Sequence, residues 1–140
     1  MRFVLDASVT LAWCFPDETD PYALQVLNLL TTHEVLVPAI WTLEIANALV
    51  VGERRNRITR SESERFIALM HASPITVDGS AMQSISDGIL SIAREQQVSA
   101  YDAAYLEVAM REGLPLASID GRVRTAMTAL GIPAVTLPLP

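Results

Sequence analysis

Four acidic side chains of this 140-residue chain occupy positions where carboxylates can act together. Asp6 and Asp120 each follow a short apolar segment typical of a buried strand, whereas Glu44 and Asp102 lie near the starts of predicted helices. The chain has one cysteine and two isolated histidines, so a metal site here would be built from oxygen ligands. Carboxylate oxygens favour hard cations such as Mg²⁺ or Mn²⁺, which activate water and stabilise phosphoryl transition states.

Helix capping is the alternative role for three of these acids. Aspartate is a preferred N-cap residue, and Asp6 and Asp120 each precede a predicted helix. Ser99 and Asp102 have the spacing of a capping box, although glutamate or glutamine is more usual at the second position. The local sequence therefore leaves both interpretations open, a cap or a metal ligand.

Glu44 lies inside a predicted helix, two residues after a candidate cap at Thr42. An acid in the first turn of a helix is favourable through the helix dipole, which is the alternative explanation here. Asn47 follows three positions later, so the two polar side chains share one face of the helix. That face also carries Val51 and Arg55, which makes it less uniformly polar than a solvated helix surface.

Apolar segments and helical patterns alternate along the whole chain, which predicts an α/β fold with a parallel sheet between two layers of helices. We expect one domain over residues 1–140, because the length suits a single core and no linker or repeat is visible. The predicted strands are residues 2–5, 34–38, 75–77, 114–119 and 134–137, followed by a proline-ended tail. The predicted helices are residues 8–15, 22–30, 42–55, one beginning at Ser61 with Glu64 as its capping box, 81–97, 101–111 and 121–130.

The parallel sheet gives the four acids a common location. Sites in such folds lie outside the carboxyl ends of the strands, where Asp6, Asp102 and Asp120 are expected to meet, with Glu44 nearby. Four carboxylates at one edge repel one another unless a cation or protons compensate their charge. The sequence therefore predicts a hard-metal site at this edge.

Composition restricts the function classes. The formal net charge of −6 argues against a protein that coats nucleic acid by charge alone, but it leaves open a nuclease whose acidic site binds metal ions. With a single cysteine, Cys14, no intrachain disulfide is possible, and His33 and His71 lack ligand spacing. We find no signal peptide or membrane span and expect a soluble, cytoplasmic protein.

Two other α/β classes place an aspartate after the first strand. Phosphatases of the haloacid dehalogenase type need a second aspartate two residues later, where this chain has Ser8. Those phosphatases and response-regulator receiver domains also use a lysine, and all ten basic residues here are arginines. Both classes are therefore disfavoured.

Four motifs together resemble one known family, the PIN-domain ribonucleases, and are especially similar to the VapC toxins of bacterial toxin–antitoxin pairs. The motifs are FVLDASV, P-x-x-W-x-x-E-I-x-N-A-L, SAYDAAYLEVA and GLPLASID, and they occur in the family's order over nearly the whole chain. The resemblance places the family's acidic quartet on Asp6, Glu44, Asp102 and Asp120. Its supporting polar residues fall on Ser8, Asn47 and Ser118, the last standing where threonine is common.

The resemblance implies a PIN-like fold with a five-stranded, mostly parallel sheet, and metal-dependent cleavage of RNA phosphodiesters with Mg²⁺ or Mn²⁺. It also implies a homodimer that is blocked by a small cognate antitoxin protein. The segment GERRNRITR, with Arg55 and Arg57, is a candidate contact for RNA phosphates, although basic residues also suit a solvated helix end. A binding or regulatory module of the same fold, with little or no nuclease activity, is the alternative function.

Overall fold

A four-stranded parallel sheet organises the molecule. The computed structural model describes residues 1–79 and 81–137, with the side chains of all of these except residues 81, 86 and 87. The strands are short and lie in the order β3-β2-β1-β4, with bounds β1 Arg2–Leu5, β2 Glu34–Val37, β3 Ile75–Val77 and β4 Leu116–Ala117. The apolar residues of the central strand β1 are fully buried, as in a parallel sheet covered on both faces. The predicted α/β class is confirmed.

Eight α-helices are described, and they flank the sheet. Their bounds are α1 Ala7–Cys14, α2 Pro21–Leu29, α3 Ile40–Arg54, α4 Arg60–His71, α5 Ala81–Ser84, α6 Leu90–Gln96, α7 Ala100–Glu112 and α8 Gly121–Leu130. A single π-helical turn, Ile85–Ile89, separates α5 from α6, so the helix predicted over residues 81–97 is interrupted. Of the described helices, none combines the length and the apolar character that crossing a membrane requires.

The fifth strand predicted over residues 134–137 is reduced to a single parallel bridge between Leu116 and Ala134. The backbone N–H of Leu116 donates to Pro133 O at 3.0 Å, and that of Val135 donates to Leu116 O at 3.2 Å. The neighbouring strand β4 is itself only two residues long. The expected sheet of five strands therefore has four, and the proline-ended tail at residues 138–140 lies outside the described residues.

Helix α3 begins two residues before the predicted cap at Thr42. Ala39 occupies the N-cap position, and the Thr42 hydroxyl donates to Ala39 O at 2.9 Å instead of capping the helix. Trp41 is buried, and its indole N–H donates to the hydroxyl of the buried Thr10 on α1 at 3.1 Å. The start of α3 therefore has no capping side chain and packs against α1 through Trp41.

The capping box of α4 also differs from the prediction. Thr59 and Glu62 form it reciprocally, with Glu62 N to Thr59 Oγ1 at 3.1 Å and Thr59 N to Glu62 Oε1 at 3.0 Å. The predicted pair, Ser61 and Glu64, has the same spacing but lies inside the helix. Ile58, just before the cap, is buried and anchors the entry of the chain.

Candidate metal centre at the carboxyl ends of the strands

Asp6 is positioned by the pairing of β1 with β4. Leu5 is in register with Ala117, and the backbone N–H of Asp6 donates to Ala117 O at 3.0 Å, which brings Asp6 beside Ser118. Asp6 is buried, and its Oδ2 accepts hydrogen bonds from the hydroxyls of Ser118 and Ser8, each at 2.7 Å. Although Asp6 occupies the N-cap position of α1, its carboxylate forms no capping hydrogen bond, so the capping interpretation is wrong for this side chain.

The two serine hydroxyls are themselves oriented by backbone donors. Ser8 Oγ accepts from the N–H of Ile119 at 3.1 Å, and Ser118 Oγ accepts from the N–H of Asp120 at 3.1 Å. Because each hydroxyl has one proton, these bonds direct that proton towards Asp6. No hydrogen bond to Asp6 Oδ1 occurs among the described residues, which leaves that oxygen available to a ligand.

Glu44 comes from α3, whose start is held on α1 by Trp41. It is half-buried, and its Oε1 accepts a hydrogen bond from the phenol of Tyr105 on α7 at 2.8 Å. Tyr105 was not among the predicted site residues, although its position three residues after Asp102 puts it on the same helical face. Asn47 lies one turn beyond Glu44 and is exposed, and its amide has no hydrogen-bond partner within residues 1–79 and 81–137.

Asp102 and Asp120 stand at the starts of α7 and α8. The N–H of Asp102 donates to the hydroxyl of the N-cap residue Ser99 at 3.0 Å, which is the serine half of the predicted capping box. Asp120 is the N-cap of α8, since its Oδ1 accepts from the N–H groups of Arg122 at 2.9 Å and Val123 at 3.2 Å. The capping prediction is confirmed for Asp120, and Oδ2 remains outside the cap.

Electrostatic interactions connect the carboxylates of the quartet in pairs. Burial raises the pKa of Asp6, and the charges of Asp102 and Asp120 raise it further, against the lowering effect of the two serine hydroxyls. Burial also raises the pKa of Glu44, with Asp6 and Asp102 adding to the shift and the Tyr105 hydrogen bond opposing it. The structure therefore brings together the quartet that the sequence predicted.

Asp102 links this quartet to an arginine. Its pKa is raised by burial and by the charge of Asp120, and is lowered by the Ser99 hydroxyl and the guanidinium of Arg122. Arg122 is exposed and was not singled out in the sequence, where its place two residues after Asp120 was the available signal.

The negative charge of the quartet is largely uncompensated. None of the four carboxylates forms an ion pair with any residue that the structure describes. Within the same residues, no three His, Cys, Asp or Glu side chains are grouped tightly enough to hold a metal ion as they stand. The donor type and the mutual repulsion of the carboxylates nevertheless suit a hard divalent cation, which would offset both burial and charge.

The two arginines predicted to contact substrate lie at the far end of α3. Arg55 follows the last turn and is exposed, roughly 16 Å along the helix from Glu44 at 1.5 Å per residue. Arg57 bonds Asp17 at 3.0 Å and stacks on the ring of Phe15, with its guanidinium carbon 4.0 Å from the ring centroid. Arg57 thus joins α3 to the end of α1, and neither arginine is part of the quartet.

Known proteins with the same architecture are found by comparison of sequence and of structure. The family model for the PIN domain matches residues 3–126, whereas comparison with curated protein sequences gives no match. The solved structure of PAE2754 from Pyrobaculum aerophilum has a TM-score of 0.69 and 20% identity, covering 90% of this chain and 84% of that one. VapBC2 from Rickettsia felis, bound to a promoter DNA fragment, has a TM-score of 0.68 and 8% identity, with 99% and 100% covered.

A third similar structure is VapC20 from Mycobacterium tuberculosis, described as a toxin that cleaves the sarcin–ricin loop. Its TM-score is 0.65 at 16% identity, with 97% of this chain and 99% of that chain covered. A toxin–antitoxin complex from Klebsiella pneumoniae is also similar, with a TM-score of 0.58 and 16% identity over 84% and 86% of the chains. At these identities the likeness is one of fold.

Proposed function

Because this chain belongs to the PIN-domain family, we propose that it is a metal-dependent endoribonuclease that hydrolyses RNA phosphodiester bonds. The observation that carries the proposal is the cluster of Asp6, Glu44, Asp102 and Asp120. Burial and neighbouring carboxylates raise the pKa of the first three. None of the four has an ion-pair partner among the described residues. VapC20, whose name describes cleavage of the sarcin–ricin loop, supports RNA as the substrate.

Mg²⁺ or Mn²⁺ is the proposed cofactor. Asp6 and Asp102 would be its main ligands, with Glu44 and Asp120 completing the site directly or through water. When bound, the ion would supply Lewis-acid activation of water and stabilise charge on the phosphate. Its positive charge would also favour the ionised form of the buried Asp6, whose pKa is raised in the protein alone.

The protein's own groups have separate roles in this proposal. Ser8 and Ser118 hold Oδ2 of Asp6 and leave its second oxygen for the cation. One carboxylate of the quartet accepts the proton that the attacking water loses. Asn47 is proposed to orient ligands from the exposed face of α3, beside Glu44.

Substrate contacts are proposed for three arginines. Arg122, next to the quartet, is placed to meet a phosphate at the site, and Arg55 is exposed for a flanking phosphate. Arg57 would reach RNA only by exchanging its carboxylate partners, Asp17 and Glu18, for phosphate.

The biological setting proposed is that of the toxin in a type II toxin–antitoxin pair. A similar fold occurs in the Klebsiella pneumoniae protein, which is described as a toxin–antitoxin complex, and in VapBC2 from Rickettsia felis, which is bound to DNA from its promoter. We accordingly propose a small cognate antitoxin as partner, a homodimeric state and a cytoplasmic location. A gene for a small protein next to that of this chain would support the pairing, and size-exclusion chromatography with light scattering tests the dimer.

The decisive experiment compares Asp6→Asn and Asp102→Asn with the wild type in an RNA cleavage assay with Mn²⁺ and mapped product ends. We expect both variants to lose cleavage while their circular dichroism and unfolding midpoints stay native-like. Glu64→Gln is the control, because it also removes one negative charge, at an exposed side chain outside the quartet. Full activity in either quartet variant would contradict the proposal, and Mn²⁺ binding by a wild type that cuts no RNA would favour a binding module.

A further inference from the structure

Tyr105 is a fully buried residue whose phenol contacts the quartet. The residue has no exposed surface, and its Oη donates to Glu44 Oε1 at 2.8 Å across 61 positions of sequence. One hydroxyl therefore connects α7 with α3.

The Tyr105 hydroxyl is the donor in this hydrogen bond, because a carboxylate oxygen can only accept. Because a phenol has a single proton, and Glu44 is the acceptor, that proton stays on the line between the two side chains.

The position of Tyr105 on α7 gives this bond a geometric consequence. Asp102 lies three residues earlier on the same helix, so the two side chains are neighbours on one helical face. Helix α7 thus presents one carboxylate of the quartet itself and holds a second one that belongs to α3. The bond occupies only Oε1 of Glu44 and leaves Oε2 for another partner.

We propose that Tyr105 is a positioning residue that holds Glu44, through the hydrogen bond to Oε1, in the orientation that cation binding at the quartet requires. The inference rests on the proposed metal site and adds the residue that fixes the α3 carboxylate relative to α7. Side chains that orient metal ligands in this way typically contribute about 10- to 100-fold to metal affinity.

The test is the affinity for Mn²⁺ alone, measured by isothermal titration calorimetry without RNA. Tyr105→Phe removes the hydroxyl and keeps the buried ring, and we expect it to weaken Mn²⁺ binding roughly 10-fold or more. The same change is made in a Glu44→Gln background, where the hydroxyl no longer positions a ligand. There we expect less than about a twofold further change, because contacting residues in one network are non-additive.

Tyr22→Phe is the matched control. It removes another hydroxyl with a tertiary hydrogen bond, from Tyr22 Oη to Val135 O at 3.0 Å, on a residue without contact to the quartet. We expect its Mn²⁺ affinity to equal that of the wild type. Urea unfolding of all variants separates loss of the site from loss of stability.

The outcomes distinguish this inference from the proposed function. Equal Mn²⁺ affinity in Tyr105→Phe and the wild type overturns the positioning role, as does an equal loss with and without Glu44. Weaker binding that depends on Glu44, in a wild type that cuts no RNA, supports the positioning role and refutes the ribonuclease. A wild type without Mn²⁺ affinity overturns both.

Discussion

Replacing Asp6 with asparagine should abolish the metal site and leave the fold at least as stable. Both serine hydroxyls donate to the same carboxylate oxygen, Oδ2. The carbonyl oxygen of asparagine can therefore accept both bonds, while its NH₂ group takes the place of Oδ1. An amide NH₂ group at that position cannot bind a cation. The substitution therefore removes a metal ligand while it keeps the packing and the serine hydrogen bonds.

The effect on stability has a definite sign. The pKa of Asp6 in the folded chain lies above its ordinary value of 3.8, so ionised Asp6 costs the folded state free energy at neutral pH. That cost is absent below about pH 3.8 and complete once the pH exceeds the folded-state pKa. The asparagine variant has no such cost, so its metal-free melting temperature at pH 7 should equal or exceed that of the wild type, and the difference should vanish in acid.

Bound metal should reverse the order of the two melting temperatures. At a Mn²⁺ concentration 100 times Kd, the wild type gains about 2.7 kcal/mol of stability. For 140 residues, an unfolding entropy of about 2.1 cal/mol/K per residue converts this to roughly 9 °C in melting temperature. We expect the wild type to show that rise and the Asp6→Asn variant to show almost none.

Differential scanning calorimetry at several pH values, with and without Mn²⁺, measures both effects. Asp17→Asn is the control of opposite sign, because Arg57 lowers the pKa of Asp17 and its ionised form stabilises the folded chain above its ordinary pKa. An Asp6→Asn variant that melts several degrees lower without metal, or that keeps the rise with Mn²⁺, would contradict these expectations.

Other variants test the arginines. Arg122→Ala removes the guanidinium that lowers the pKa of Asp102, so the acidic limb of the pH–rate profile for cleavage should move to higher pH. An unmoved limb would separate Arg122 from the site. Arg57→Ala should lower the melting temperature, because the stack on Phe15 and its ion pairs are lost. Arg55→Ala should leave the melting temperature unchanged and raise KM for RNA, and an unchanged KM would remove Arg55 from the RNA-binding surface.

Much of the fold was predictable from short-range patterns. Strands β1, β2 and β3 and helices α7 and α8 lie within a residue or two of their predicted bounds, because apolar runs, caps and terminal glycines act within about four positions. The same local rules gave Asp120 as a candidate cap of α8, beside its candidate role as a metal ligand, and the cap is observed. These rules were less reliable where two possible capping boxes had the same spacing of residues. At the start of α4 the box is formed by Thr59, next to the buried Ile58, and not by Ser61 as predicted.

Local sequence patterns were sufficient to show which acids follow strands or begin helices, and thus which residues are candidate ligands. What each carboxylate contacts depends on the packing of distant segments. Asp6 lies against Ser118, 112 positions away, because β1 pairs with β4, and Glu44 meets Tyr105 because α3 and α7 converge at the same site. No local pattern encodes such contacts, since they depend on strand order and helix packing, which the burial of the whole apolar core establishes.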